Sequence, residues 1–387
     1  MRRLKQTIKE HIFHPIVRIG RREIFSMVPY EIYGGPAYHN FVGYYDIQPF
    51  SNDRTKILAG RCISSHAARA MDVPLEIGCF DLETGLFEGF SETRAWSWQM
   101  GCRLQWVMWK GRECALYNDI VDGVPQTIIY DVAGKKRVDV LPVPTYAMSS
   151  CGRYVVTLDF DQLERCRQGY GYDWKESFER VDATLILYDC ETGEQNVLIE
   201  ARTLGDGYFN HIHFNPSGTR ILCFYIWHER GKRRVKALTM DLDGKNVANV
   251  TDGTHVSHYW WVDDNRLLFY CTDPVYGMGY HLYHQSGGHI DRIESVPKLD
   301  GHPRIFDDWI ISDTVVDRRF ERHVWAYHMV EKRRVDIASF YSPPQFIGPN
   351  RCDLHPRVSG CGRYVAVDST HDGYRQVVVL DVGDILT

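Results

Sequence analysis

One phrase recurs seven times along this chain, and a sevenfold repeat of that kind leaves few folds open. In each copy a polar residue near a strand start precedes a turn and an apolar strand. The copies read GYYDIQPFSNDRTKILAG from Gly43, CRLQWVMWKGRECALYND from Cys102, PTYAMSSCGRYVVTLDF from Pro144 and HIHFNPSGTRILCFYIW from His211. They continue as SHYWWVDDNRLLFYC from Ser257, GHPRIFDDWIISDT from Gly301 and LHPRVSGCGRYVAVDST from Leu354. The turn signals SND, SCG, PSG, VDDN, FDD and GCG separate two extended runs, as a hairpin joining the inner strands of a sheet requires. Later strands end in second turns, FDLETG at Phe80, YDVAGK at Tyr130, YDCETG at Tyr188 and MDLDGK at Met240, which close an outer hairpin.

A spacing of about 40 to 65 residues fits four strands plus loops, and radial closure leaves no unpaired sheet edge. The expectation is an all-β chain: a seven-bladed β-propeller over residues 21–387, preceded by a basic helical segment over 1–20. A doubly wound α/β fold is disfavoured, because strand phrases do not alternate with long amphipathic helices. The last strand, QVVVLDV from Gln376, follows the seventh phrase directly, so the ring is expected to close by pairing a strand within Ile24 to Tyr33 onto the final blade. The stretches Ser64 to Pro74, Gln162 to Asp182 and Pro343 to Asn350 exceed turn length, and long loops on a rigid ring line its mouth.

Charge and composition remove other classes. The net charge of -5 is mild and its acids and bases are interspersed, so nothing points to nucleic acid. No run of about 18 apolar residues marks a membrane span. The N-terminus has neither an apolar signal core nor a cleavage site, which makes the cytoplasm the expected location. The 11 cysteines form no CxxC pair and suit buried thiols in a reducing compartment. Arg2, Arg3, Lys5 and Lys9 offer peripheral contact with an anionic membrane surface, or simply a solvated helical face.

The polar residues that open each phrase converge on the channel of a propeller. Four successive phrases place histidines there: His211 and His213, His258, His302, and His355. Singly, each suits bonding to channel water or a neighbouring blade; together, converging imidazoles suit proton transfer and borderline metals. The segment PNRCDLHP adds Asn350 and Asp353 beside His355, a set that could coordinate a divalent ion together with His302, although Asp353 could equally cap a turn. In the first half, His39 precedes Tyr44, Tyr45 and Asp46, and WSWQMGCRLQW supplies Trp96, Trp98, Gln99, Arg103 and Gln105. Aromatic faces beside amides and an arginine suit sugar rings, with inter-blade packing as the other reading for the tryptophans. GYGY at Gly169 falls in the long third-blade insert and would serve as a lid, while His371 suits a turn.

These residues resemble the oligogalacturonate lyases, manganese-using propeller enzymes of the TolB- and WD40-like kind, over roughly residues 205–380. HIHFNPSGTRILCFYIWHE from His211 is similar to a family phrase, and SHYWW resembles the phrase that carries the family's catalytic base. The resemblance implies His258 as base and His302, Asn350, Asp353 and His355 as ligands of a divalent metal, manganese first, with zinc or calcium as alternatives. The chain departs from the family at two places. Lys236 stands where the family has an arginine, with Arg234 one same-face step away, and the family's Gln, His, His cluster is here amide, carboxylate and imidazole.

The function implied is a carbon–oxygen lyase that cleaves uronic-acid-containing oligo- or polysaccharides by metal-assisted β-elimination, with an anionic glycan as partner. His258, Lys236, Arg234, His211 and Tyr45 would then be catalytic, and Arg103, Gln105, Tyr44, His213 and Tyr259 would bind substrate, with Tyr44, Tyr45 or Tyr259 as proton donor. The alternative is a non-catalytic propeller that binds a glycan or a protein partner, since propellers host both uses. A carboxylate hydrolase through Asp46 and Asp353 ranks below both, and no G-x-S-x-G phrase supports a serine hydrolase.

Overall fold

A computed structural model describes residues 24–63, 72–173 and 182–386. Seven antiparallel sheets follow one another along the chain as the blades of a β-propeller, each a meander whose strands pair in chain order except where N-terminal strands join the sixth and seventh. The innermost strands are His39–Phe41, Gln105–Trp109, Ala147–Met148, Gly207–Phe214, Val256–Trp261, Arg304–Phe306 and Arg357–Val358. The helical preamble expected over residues 1–20 lies outside the described residues.

The repeat has a local cause. In the third, fourth and seventh blades the inner hairpin turns where Ser149, Asn215 and Ser359 accept from the backbone N–H of Gly152, Gly218 and Gly362 through their carbonyls. Their side-chain oxygens then accept from Tyr154, Arg220 and Tyr364 five residues on, at 3.0, 2.8 and 3.0 Å. The turn glycine is needed at Gly362, where φ is +75° and an added Cβ would meet the Phe306 ring at 2.2 Å. The arginine after the turn pairs with the aspartate that ends the third strand: Arg153 with Asp189, Arg220 with Asp241, and Arg363 with Asp381. The turn arginine and the aspartate that ends the third strand are thus two halves of one contact.

Ring closure follows the expectation in part. Tyr30–Tyr33 pairs with the final strand Gln376–Asp381 as the fourth strand of the seventh blade, Tyr30 opposite Leu380. The preceding Ile24–Ser26 does not join it; it adds a fifth strand to the sixth blade, Ile24 opposite Phe340. Pro29 accounts for the division, because it has no N–H for a ladder and its carbonyl instead accepts from Asp381 N. Ser26 Oγ bonds back to Val28 O at 2.7 Å and turns the chain between the two sheets. The final strand itself is buried from Gln376 to Leu380, and its β-branched run suits a sheet covered on both faces.

Part of the third-blade insert is helical, where the sequence suggested only a long loop. Asp159 caps Phe160–Cys166 by accepting from Asp161 N and Gln162 N, at 2.9 and 3.0 Å. Phe160 stacks on Tyr172 at 4.4 Å between centroids and anchors the insert across the channel mouth. The middle of the channel is filled rather than open. Tyr45 donates to Tyr259 O, Arg304 Nη1 donates to Tyr45 O, and Arg357 Nε donates to Tyr44 O.

Candidate active site

The histidines reach the axis through irregular backbone. Register shifts interrupt the innermost strands of blade four between Asn210 and His213 and of blade five between Val256 and Tyr259. Bulges of this kind re-aim a side chain out of the alternating pattern. His211 and His355 both adopt left-handed backbone, with φ of +50° and +49°. Such a conformation costs energy for a side-chain-bearing residue and persists only where its surroundings fix it. His211 N donates to Tyr146 Oη at 2.8 Å while its carbonyl accepts from Tyr259 Oη at 2.9 Å. His355 N donates to Asp313 Oδ2 at 3.0 Å.

Four of the five expected histidines meet. Ring centroids are 5.5 Å apart for His211 and His258, 4.1 Å for His258 and His302, and 4.3 Å for His302 and His355. Their outer nitrogens are fixed. His355 Nδ1 donates to Gly43 O at 2.8 Å, His302 Nδ1 faces both oxygens of Asp313 at 2.9 and 3.0 Å, and His258 Nδ1 faces Asp300 at 3.0 Å. Carboxylates or carbonyls behind imidazoles set the tautomer that leaves Nε2 as a lone pair, the arrangement common at metal ligands. The Nε2 atoms of His302 and His355 are buried without a hydrogen-bond partner among the described residues. One ligand atom from each of His302, Asp353 and His355 lies within 4.8 Å of the other two. Orphaned imidazole nitrogens beside a carboxylate fit a divalent ion, and Asn350 lies half-buried in the short turn Gly348–Asn350, three residues before Asp353, with its carbonyl accepting from Arg375 Nη2 at 2.9 Å.

Asp353 does not add free negative charge. Arg322 Nη1 holds one of its oxygens at 2.8 Å and Arg351 Nε the other at 2.7 Å. Burial alone would raise its carboxyl pKa, but these guanidiniums outweigh burial and hold it well below the usual range. His258 moves the other way: burial, then the neighbouring His302, push its imidazole below its ordinary value, so it is neutral near pH 7.

Of the expected cations, neither reaches this cluster. Lys236 is exposed on the third strand of blade four, above Trp227, and Arg234 pairs with Glu229 at 3.1 Å. Strand alternation explains the correction, because Arg233 takes the inward face and Arg234 the outward one. Arg233 is half-buried, donates to Val256 O at 3.4 Å and has a buried Nε without a partner among the described residues. Arg167 and Arg351 complete a cationic rim: Arg167 Nη1 lies 3.5 Å from His211 Nε2, and both guanidiniums bond Tyr170 Oη. Among the described residues, Arg167 and Arg233 pair with no carboxylate.

Tyr44, Tyr45 and Tyr259 line the cluster from below with committed hydroxyls. Tyr44 Oη bonds His211 Nδ1 at 3.1 Å, and the other two donate to carbonyls. Burial raises all three well above the ordinary phenol range. Arg103, Gln105 and His213 lie elsewhere, in a cavity of about 300 Å³ that Asp46, Asn215 and Trp260 also line and that includes none of the four clustered histidines. Arg103 is engaged there by Asp46, at 2.8 and 3.0 Å. Trp96 and Trp98 pack in the core beside Phe41, and His371 bonds Ser369 within its turn, as their plainer readings held.

Sequence reasoning missed Arg167, Arg233, Arg322 and Asp300, which no motif marks, and Asp313, which lay inside the sixth repeat phrase without being singled out. Tyr170 and Arg351 lay inside the quoted phrases GYGY and PNRCDLHP without being singled out.

No protein-family model matches the chain, and no curated protein matches it in sequence. Solved structures do. An oligogalacturonate lyase in complex with manganese superposes with a TM-score of 0.68 over 92% of this chain and 97% of that one, at 14% identity. An oligogalacturonate lyase from Vibrio parahaemolyticus gives 0.63 over 94% and 99%, at 13% identity. At such identity the likeness is one of fold: the chain is a seven-bladed propeller structurally similar to oligogalacturonate lyases along nearly its whole length.

Proposed function

We propose that this protein is a lyase that cleaves uronate-containing oligosaccharides by β-elimination with the help of a divalent metal, manganese first. The observation that supports this most is a trio of metal-competent groups beside two half-buried guanidiniums, Arg167 and Arg233, that pair with no carboxylate among the described residues. Half-buried cations without a counter-charge await an anion. Because Arg322 and Arg351 pair with both oxygens of Asp353, its carboxylate does not repel an anionic sugar.

In this reading His302, Asp353, His355 and Asn350 hold the metal, which when bound offsets charge on the uronate carboxylate as C5 loses its proton. His258 is the base. Asp300 fixes its Nδ1–H, leaving Nε2 as the lone pair, whereas His211 Nε2 is already approached by Arg167. Arg167, Arg233 and Arg351 orient the substrate's carboxylates. The C5 proton passes to His258 Nε2, a C4–C5 double bond forms, and the C4–oxygen bond breaks. The eleven cysteines form no disulfide among the described residues, which suits action in the reducing cytoplasm, and no described helix is long and apolar enough to cross a membrane.

The test is turnover of short uronate oligomers, followed by the ultraviolet absorbance of the unsaturated product. Activity should appear with Mn²⁺, vanish with a chelator and return on adding the metal back. Metal content should fall to background in His302→Ala. Absence of product across galacturonate, glucuronate and mannuronate oligomers, with metal supplied, would overturn the reading.

A further inference from the structure

Among the tyrosines at the site, Tyr170 differs in where its proton is. Tyr45, Tyr259 and Tyr146 each donate to an acceptor within the protein, and Tyr44 shares a hydrogen bond with His211. Tyr170 Oη instead accepts two hydrogen bonds, from Arg351 Nη2 at 2.5 Å and Arg167 Nη2 at 2.9 Å. Its own proton meets no acceptor among the described residues, so it is available to a ligand. The two guanidiniums that hold the phenol also form the rim where a substrate carboxylate would dock, which brings the sugar alongside it.

Rigid backbone sets this position. The Glu164 carboxylate accepts from Gly169 N at 2.9 and 2.8 Å, from Tyr170 N at 3.1 Å and from Gly171 N at 3.0 Å. Both flanking glycines are required. Gly169 has φ of +90°, and a Cβ on Gly171 would meet Phe160 O at 2.0 Å. The described part of the insert, up to Asp173, is therefore shaped around Tyr170.

We propose that Tyr170 hands its proton to the departing sugar oxygen in the elimination, an inference that rests on the lyase reading. The balance is complete without another reactant. His258 takes the C5 proton, the electron pair forms the C4–C5 double bond, and the C4–oxygen bond breaks. The leaving oxygen takes the Tyr170 proton to become a free hydroxyl, and the phenolate left behind lies between two guanidiniums. Solvent then returns a proton to Tyr170 and removes one from His258. Glu164 is a positioning residue for this step.

The electrostatics agree with the geometry. Burial pushes the phenol up, but Arg167 and then Arg351 outweigh it and bring Tyr170 down to about 8, with Asp353 opposing and His302 assisting more weakly. An acid with that value is mostly protonated at pH 7 yet close enough to give up its proton readily. The acid form is lost as pH rises, so kcat should fall through about pH 8.

Two measurements on the full chain test the proposal. Ultraviolet difference titration should show one tyrosine ionising near pH 8 that is missing from Tyr170→Phe and moved upward in Glu164→Ala. With uronate oligomers, Tyr170→Phe should lose about 10²- to 10⁴-fold in kcat, with KM little changed. With a uronate carrying a nitrophenolate leaving group, which departs unprotonated, the loss should shrink to a few fold. Undiminished kcat in Tyr170→Phe, an equal loss on both substrates, or no titration near pH 8 overturns the role of Tyr170. Absence of turnover in the wild-type chain overturns the lyase reading itself, and the titration still reports on the phenol.

Discussion

Alanine at position 258 is expected to lower kcat on uronate oligomers by about 10²- to 10⁴-fold, the range lost with a positioned general base. The reasoning starts from the bulge in Val256–Trp261, which turns His258 inward to within 4.1 Å, ring to ring, of His302. Asp300 and Ser257 hold Nδ1, so a single lone pair faces the space between the metal-competent trio and the guanidinium rim. His258→Ala removes that lone pair but none of the proposed metal ligands. Metal content should stay at the wild-type level while turnover falls, whereas His355→Ala should lose both. Asp300→Asn should also slow the reaction, because an amide facing Nδ1 no longer enforces the tautomer. Loss of metal in His258→Ala, or turnover within a few fold of wild type, would remove His258 from the role of base.

The ring and the site were legible to different degrees. The sevenfold phrase carried the fold because each copy contains the polar residues that make its own turn, and those contacts are local: Ser149 to Tyr154 and Asn215 to Arg220 span five residues. The histidine arc was legible for a similar reason, since each opens a blade. The cations were not. Choosing Lys236 and Arg234 over Arg233 followed a spacing carried over from a family, while the face of a strand depends on its register with its neighbours. Arg167 was hidden more deeply. It reaches His211 across 44 residues from an insert whose entry is fixed by the Asp159 cap and the Phe160–Tyr172 stack. The division of the channel was equally hidden: His211 and His213, two residues apart, serve the histidine cluster and the far cavity respectively.

Asp368 should prove the most expensive single loss to the fold. It is buried at the seam where the seventh blade meets the first. One oxygen accepts from Val42 N at 2.8 Å, and the other from Gly43 N at 3.2 Å and from Arg357 Nη2 at 2.9 Å. Arg357 is wholly buried, and its remaining bonds run to the carbonyls of Gly43 and Tyr44. Removing the carboxylate leaves a guanidinium charge without compensation and two backbone N–H groups without acceptors. Breaking a buried pair in this way costs about 3–5 kcal/mol. Asp368→Ala should therefore lower the denaturant midpoint by an amount equivalent to that loss. The Arg357→Met/Asp368→Leu double variant should recover a substantial part of it, because no charge is then left buried. The same seam carries Gly43 O, the acceptor that sets the His355 tautomer, so Asp368→Ala should weaken metal binding even at temperatures where the ring stays folded. A destabilisation below about 1 kcal/mol would place this ion pair in the class of exposed bridges and remove it as the clasp of the propeller.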